Sequence, residues 1–444
     1  MIKDMTKGTP WKLIFSFMVP VCCGNIFQNF YNIVDSMIVG RYLGVEALAA
    51  VGSTGSINFL VIGWIVGMTS GFGIQLSQAF GANDSKRLRH YFAMSAYLCV
   101  GLAIFMTVGL LIANSAILHW INTPEEIFFD TAKYIGIIYA GLPVTILYNM
   151  LATVARALGD SKTPLYFLVL SSVLNIILDF LFVAIIPFGV AGAAYATVLA
   201  QMISAGLCLV YVWKKFPIIH FTKKDAALKG RSMYNLLSMG IPMGLQFSIT
   251  AIGTMIVQAS LNTLGAVYIA AYSATMKIQN IVIQVYPALG TAIATYTGQN
   301  YGAGEIKRIK QGVNACLVIE AVYSVFVMAL SWSVLPMTVR IFAQDPTGEL
   351  QMIACQMFRI SMWFFFPLGT IFIYRNVLQG LGNGFVPMLG GVFELIARAL
   401  VIYLLFDSMQ FIAICISDPG AWMSALIPLI PYYYWFMNKK QKTM

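Results

Sequence analysis

Apolar runs long enough to cross a bilayer recur along the whole chain, separated by short polar breaks. Leu165 to Pro187 and Phe385 to Phe406 are typical, each near the roughly 20 residues that a spanning helix needs. The breaks predict spans at 13–40, 53–79, 91–115, 128–155, 165–186 and 190–213, then at 233–262, 268–300, 313–335, 351–377, 387–407 and 415–437. The prediction is therefore an all-α membrane protein of about twelve transmembrane helices. The first run is too long for the apolar part of a cleaved signal, and further spans follow it, so it is expected to stay in the mature protein.

The same pattern occurs twice. LGVEALAAVG, from Leu43, returns as LGAVYIAAYS, from Leu264. Gln78, Gly81, Ala82, Lys86 and Arg87 face Gln299, Gly302, Ala303, Lys307 and Arg308 at a displacement of 221. Leu158, Gly159 and Pro164 face Leu381, Gly382 and Pro387 at 223, and Pro20 faces Pro242 at 222. An even number of spans per copy gives both copies the same orientation, as in parallel transporter repeats. The expected organisation is a lobe over residues 1–213, a basic linker at 214–232 and a second lobe over 233–444. The two six-helix lobes would be related by a pseudo-two-fold axis along the membrane normal and would enclose a cavity open alternately to either side.

Composition agrees: 59% of residues are hydrophobic and 10% charged, against about 25% charged in soluble proteins. The net charge of +10 would suit a nucleic-acid partner only if the basic residues clustered on one surface. They fall instead in alternate breaks: Lys3, Lys7 and Lys12; Lys86, Arg87 and Arg89; Arg156 and Lys162; Lys214 through Arg231; Lys307, Arg308 and Lys310; Arg375; Lys439, Lys440 and Lys442. The opposite breaks hold little beyond Arg41, Lys133, Arg340 and Arg359, with the acids Glu125, Glu126 and Asp345. The positive-inside rule then places both termini in the cytoplasm of a multi-pass cell (inner) membrane protein, with the bilayer and no nucleic acid as its partner. The seven cysteines lack CxxC spacing and the three histidines are scattered. No cofactor or resident metal is expected. Nothing resembles HExxH, GxSxG or another catalytic constellation, which argues against an enzyme.

Ionisable groups inside a bilayer are costly and so mark functional positions. Gln28, Asn32 and Asp35 recur at helical spacing on the first span; Asn175 and Asp179 lie one turn apart on the fifth. Asp35 and Asp179 each lie about six residues, roughly 9 Å, below the outer end of their spans, and Thr197 about 10 Å below the start of the sixth. Two carboxylates, an amide and a hydroxyl at one depth suit a proton, because like charges resist joint ionisation. Oxygen ligands equally suit Na+. The bland alternative is that these groups only bond neighbouring helices, and Thr197 alone favours it, since a membrane hydroxyl often bonds its own helix. The second copy departs here: Arg398 stands where Asn175 stands, and Glu394 precedes it at the spacing of an intrahelical ion pair, read as a structural or gating pair. Lys277 is a candidate for the cavity and Glu320 for packing. Among the many aromatics, Phe27, Tyr31, Trp64, Tyr139, Tyr272, Tyr286 and Trp363 are candidates to line a cavity that binds apolar cations.

These residues resemble the multidrug and toxic compound extrusion (MATE) family over essentially the whole chain. The likeness rests on Pro20 with VDSMIVGRYLG, then QAFGANDSKRLR, ARALGDSKTP, LNIILDFLF and GVAGAAYATVLAQ, in that order. It implies twelve helices in two lobes, antiport of small cationic or amphipathic drugs against H+ or Na+, and a cation site in the first lobe. That site would comprise Asp35, Asn175, Asp179 and Thr197, with Asn149 as a further member, and Pro20 would be the position at which the first helix bends. Gln246 stands near where NorM-like members carry an acid, so the pattern looks closer to the DinF-like branch. The competing function is a flippase for a lipid-linked precursor, whose pyrophosphate would need several cavity arginines; only Arg398 and Lys277 are candidates. A monomer is expected.

Overall fold

The computed structural model describes residues 3–342 and 348–442, and among them every regular element is helical. Asp345, one of the acids expected on the outer side, lies outside the described residues. The first six spans are α1 (Pro10–Leu43), α2 (Val45–Ser53) with α3 (Gly55–Gly81), α4 (Ser85–Trp120), α5 (Glu125–Ala140) with α6 (Leu142–Ala157), α7 (Lys162–Asp179) and α8 (Val190–Lys215). The second six are α9 (Gly230–Asn262), α10 (Ala266–Val282) with α11 (Val285–Gly302), α12 (Ile306–Phe342), α13 (Glu349–Met362) with α14 (Phe365–Gly380), α15 (Phe385–Met409) and α16 (Phe411–Lys442). Among the described residues, nine helical stretches are long and apolar enough to cross a membrane. The α5–α6 and α13–α14 pairs join them as single spans bent by 46° and 48°, making eleven. The α10–α11 pair occupies the twelfth position. It falls short of the same measure because it is broken near Ile283 and carries Lys277, Gln279, Asn280, Gln284, Gln299 and Asn300.

Duplication is visible in the backbone. Positive φ values recur at Gly44 and Gly265, Asn83 and Gly304, Gly159 and Gly382, and Gly189 and Gln410, at the displacements read from the sequence. Helix caps recur with them. Asp160 accepts from the Thr163 backbone N–H at 3.0 Å, and Asn383, its counterpart, accepts from that of Val386 at 3.1 Å. Each bond satisfies one of the donors that a helix start leaves free.

Packing divides the chain into two units, Met1–Asp4 with Cys23–Gly244 and Met5–Cys22 with Leu245–Met444. The divisions fall inside α1 and inside α9, so the 214–232 segment belongs to the first unit and the opening of α1 to the second. The second unit holds that opening by side chains of its own. Gln299 accepts from the Met5 backbone N–H at 2.9 Å, Asn300 donates to the Met5 carbonyl at 3.1 Å, and Arg308 donates to that of Gly8 at 2.9 Å. α1 continues through Pro20 without interruption.

In the first unit, Val45–Gly81 has 56% of its most apolar stretch buried, whereas Ser85–Trp120 has 6%. The first is a core helix and the second presents its side chains to lipid. α3 reaches the core because Gly67 and Gly71 let it approach the α9 backbone closely: a Cβ on Gly67 would lie 2.5 Å from the Met243 carbonyl oxygen. In the second unit α15 packs along α16, and Tyr286, Tyr296, Phe17, Phe358 and Phe365 are its largest fully buried side chains.

Candidate cation-coupling site

α7 runs against α8 in the first unit and carries Asn175 and Asp179 on its buried face. Asp179 is the last α-helical residue; the helix then widens into a π-turn over Phe180–Ile185. Such turns shift a helix by one residue and gather at functional positions. Asp179 is wholly buried and Asn175 is 3% exposed. Asn175 Nδ2 donates to Thr197 Oγ1 at 3.3 Å, and Thr197 donates to the Ala193 carbonyl of its own helix at 3.1 Å. The hydroxyl thus both fixes its own rotamer and turns a lone pair toward α7.

Asp35, on α1, faces Asp179 within hydrogen-bonding reach. Both oxygens of Asp179, one of Asp35 and the amide oxygen of Asn175 are buried with no partner. Two carboxylates are both acceptors, so a bond between them exists only when one carries a proton. No lysine or arginine pairs with either acid among the described residues. Tyr31 and Tyr134 complete the polar surroundings, with Gln28 beside Tyr31. Buried oxygens left unsatisfied are rare because each costs about 1–3 kcal/mol. A group that donates a proton, or a hard monovalent cation, is what this set of oxygens fits.

The remaining sequence candidates are placed as follows. Asn149 donates to the Thr145 carbonyl of its own helix at 2.9 Å, and no bond links it to the acid pair. Gln28 and Asn32 are exposed on α1, Trp64 lies against Gly244, and Tyr139 is buried in the first core with its hydroxyl unpartnered. Lys277 is exposed on α10.

The second unit corrects one expectation. Glu394 and Arg398 do not form an ion pair with each other. Glu394 pairs with Arg375 of α14, and Arg398 Nε donates to Asp418 of α16 at 2.8 Å. Helical geometry explains it: the α14 and α16 partners approach from the side, while an i,i+4 pair would leave both of them buried and alone. Arg375, grouped with the cytoplasmic breaks although it stands two residues before the end of the predicted 351–377 span, is 7% exposed within α14. Gln246 lies beside it, its amide oxygen able to accept from Nε and Nη1 at 2.8 Å. Asp418 escaped the sequence reading, although a lone acid before Pro419 in an apolar run was a signal for it.

Residues 20–181 and 242–404 match the MatE family model, the second match beginning 222 positions after the first. The chain belongs to the MatE family. It is a multi-pass membrane transporter and not an enzyme. Among curated MatE relatives it is 27% identical over 99% of its length to the probable multidrug resistance protein YoeA of Bacillus subtilis (strain 168), covering 96% of that protein. It is 31% identical over 85% of its length to the probable multidrug resistance protein YpnP of the same organism, covering 84%. In fold it is similar to a MATE family transporter solved in an outward-facing conformation, with a TM-score of 0.92 at 22% identity, covering 99% of this chain and 98% of that one. The MatE frame is thus common to both, twelve helices in two lobes.

Proposed function

We propose that this MatE transporter is a cation-coupled antiporter that exports drugs or other amphipathic organic compounds, with H+ as coupling ion and Na+ as the alternative. The observation that carries this reading is the facing of Asp35 and Asp179 with unsatisfied oxygens and, among the described residues, no basic partner. A pair that accepts one proton readily and a second charge reluctantly can load on one side of the membrane and release on the other. The names of YoeA and YpnP support drugs as the cargo. Alternate basic breaks support cytoplasmic termini in the cell membrane, and one chain is taken as the working unit. The flippase reading loses ground because Arg398, its arginine candidate, is already paired with Asp418, as Arg375 is with Glu394.

Reconstituted protein driving dye efflux under an imposed pH gradient without sodium tests the reading. Asp35→Asn is expected to reduce efflux to the level of empty liposomes at unchanged insertion. Full efflux in that variant would refute the coupling role. Efflux driven by sodium alone would replace H+ with Na+.

A further inference from the structure

Glu320, on α12 in the second unit, is fully buried and pairs with no basic residue among the described residues. Its Oε1 accepts from Ser324 Oγ at 3.3 Å, and Ser324 in turn lies 3.2 Å from the Tyr286 hydroxyl of α11. Its Oε2 has no partner. Thr370 of α14 is adjacent, and Thr370 Oγ1 is likewise buried without a partner. The preceding residue of α14 is Gly369, where a Cβ would lie 2.3 Å from Glu320 Cγ and 2.6 Å from Oε1. The carboxyl therefore occupies a cradle that only glycine leaves open.

The charged and titratable neighbours do not neutralise it. Tyr286 faces it from α11, and Cys316 and Tyr323 lie on its own helix. On α13, Arg359 is stacked over Trp332. On α14, Arg375 is taken by Glu394 and Tyr374 is turned to Tyr434. On α16, Asp418 is taken by Arg398, and Lys277 of α10 is exposed. An ionised carboxylate here would be a buried charge with hydroxyl partners alone, which is strongly disfavoured. A carboxylic acid has an O–H to give; its own Oε2 is without a partner, and so is Thr370 Oγ1 beside the carboxyl.

We propose that Glu320 is a proton-binding site of the second unit, in which the acid donates from Oε2 to Thr370 Oγ1 and accepts at Oε1 from Ser324. This site is separate from the Asp35–Asp179 pair and does not rest on the antiport reading, since the proton is bound whether or not it is transported.

Infrared spectroscopy of the full-length protein in lipid tests it directly. An Asp35→Asn/Asp179→Asn background removes the other unpaired buried acids. Exposed acids are ionised near neutral pH and contribute no carboxylic C=O band. The background protein is expected to show such a band, and added Glu320→Gln to abolish it. Ser324→Ala, which folds with the carboxyl intact, should move the band to higher frequency because the carbonyl loses its donor. Loss of a carboxylate band in Glu320→Gln in place of the C=O band, or a spectrum indifferent to Ser324→Ala, would overturn the proposal.

Discussion

The two units carry the same scaffold and opposite electrostatic solutions. In the first, Asp35 and Asp179 face each other and, among the described residues, no lysine or arginine pairs with either. In the second, Arg375 with Glu394 and Arg398 with Asp418 neutralise one another pairwise. Buried charges that are matched are locked, because separating them exposes each to a low dielectric. Buried acids that are unmatched remain able to exchange a proton or bind a cation. Duplication supplied the frame, and the placement of basic residues decided which copy kept exchangeable chemistry. A copy can thus be read by whether its acids have partners, and Glu320 is the residue that complicates the contrast.

The largest expected effect tests the locking. Arg375→Met leaves Glu394 buried and alone and should destabilise the protein by about 3–5 kcal/mol. Combining it with Glu394→Leu should recover most of that loss. Asp179→Asn orphans no cation, so its cost should stay below about 1 kcal/mol. Thermal unfolding of the purified variants in one detergent measures all three. Equal losses for Arg375→Met and Asp179→Asn would mean that the two units are not electrostatically distinct.

A smaller effect concerns a cap that both copies share but only one charges. Asp160 accepts from the backbone N–H groups of Lys162 and Thr163 and the Thr163 hydroxyl, and pairs with Lys215 at 3.6 Å. Burial opposes its charge, but the Thr163 backbone and hydroxyl bonds, together with the other donors and positive charge near it, hold the carboxyl below the usual range. A depressed carboxylate stabilises the fold above its unfolded pKa and loses that contribution as pH falls through the folded value. Asp160→Asn, which imitates Asn383 of the second copy, should cost about 2 kcal/mol near neutral pH. The gap from wild type should shrink in acid below about pH 4. A pH-independent gap would place the effect in packing.

Much of this was legible in the sequence because it depends on spacing. The 221–223 displacement read from the sequence is the one at which the positive-φ turns and the caps at Asp160 and Asn383 recur in the backbone. Asp35, Asn175, Asp179 and Thr197 could be assembled because helical rise fixes depth along each span. Pairing across helices was not legible. Glu394 and Arg398 had ideal spacing for each other, yet helix packing supplied nearer partners from α14 and α16. Arg375 groups with the loop residues because its charge satisfies the positive-inside pattern, and depth within a bent span cannot be counted from its ends. Nothing in LNIILDFLF announces a π-turn after Asp179, since that turn depends on how α7 meets its neighbours. Glu320 read as packing because its hydroxyl partners sit on three different turns and helices.

The smallest prediction asks whether the copies are equally relaxed where their backbones match. Gly189, before α8, has φ 62 and ψ −149, and its counterpart before α16 is Gln410, with φ 46 and ψ −115. Glycine enters this region freely, whereas a Cβ makes it strained. The turn persists in the second copy because α15 packs closely along α16 on either side of it and fixes where the chain must reverse. Gln410 is exposed, so its side chain contributes little to offset the strain. Gln410→Gly should therefore stabilise the protein by about 1 kcal/mol, less the entropy that glycine adds to the unfolded chain. The reciprocal Gly189→Gln should destabilise by a similar amount. If Gln410→Gly lowers the melting temperature, the glutamine side chain must hold the turn by contacts stronger than the strain, and the second copy has adapted at this position instead of merely tolerating it.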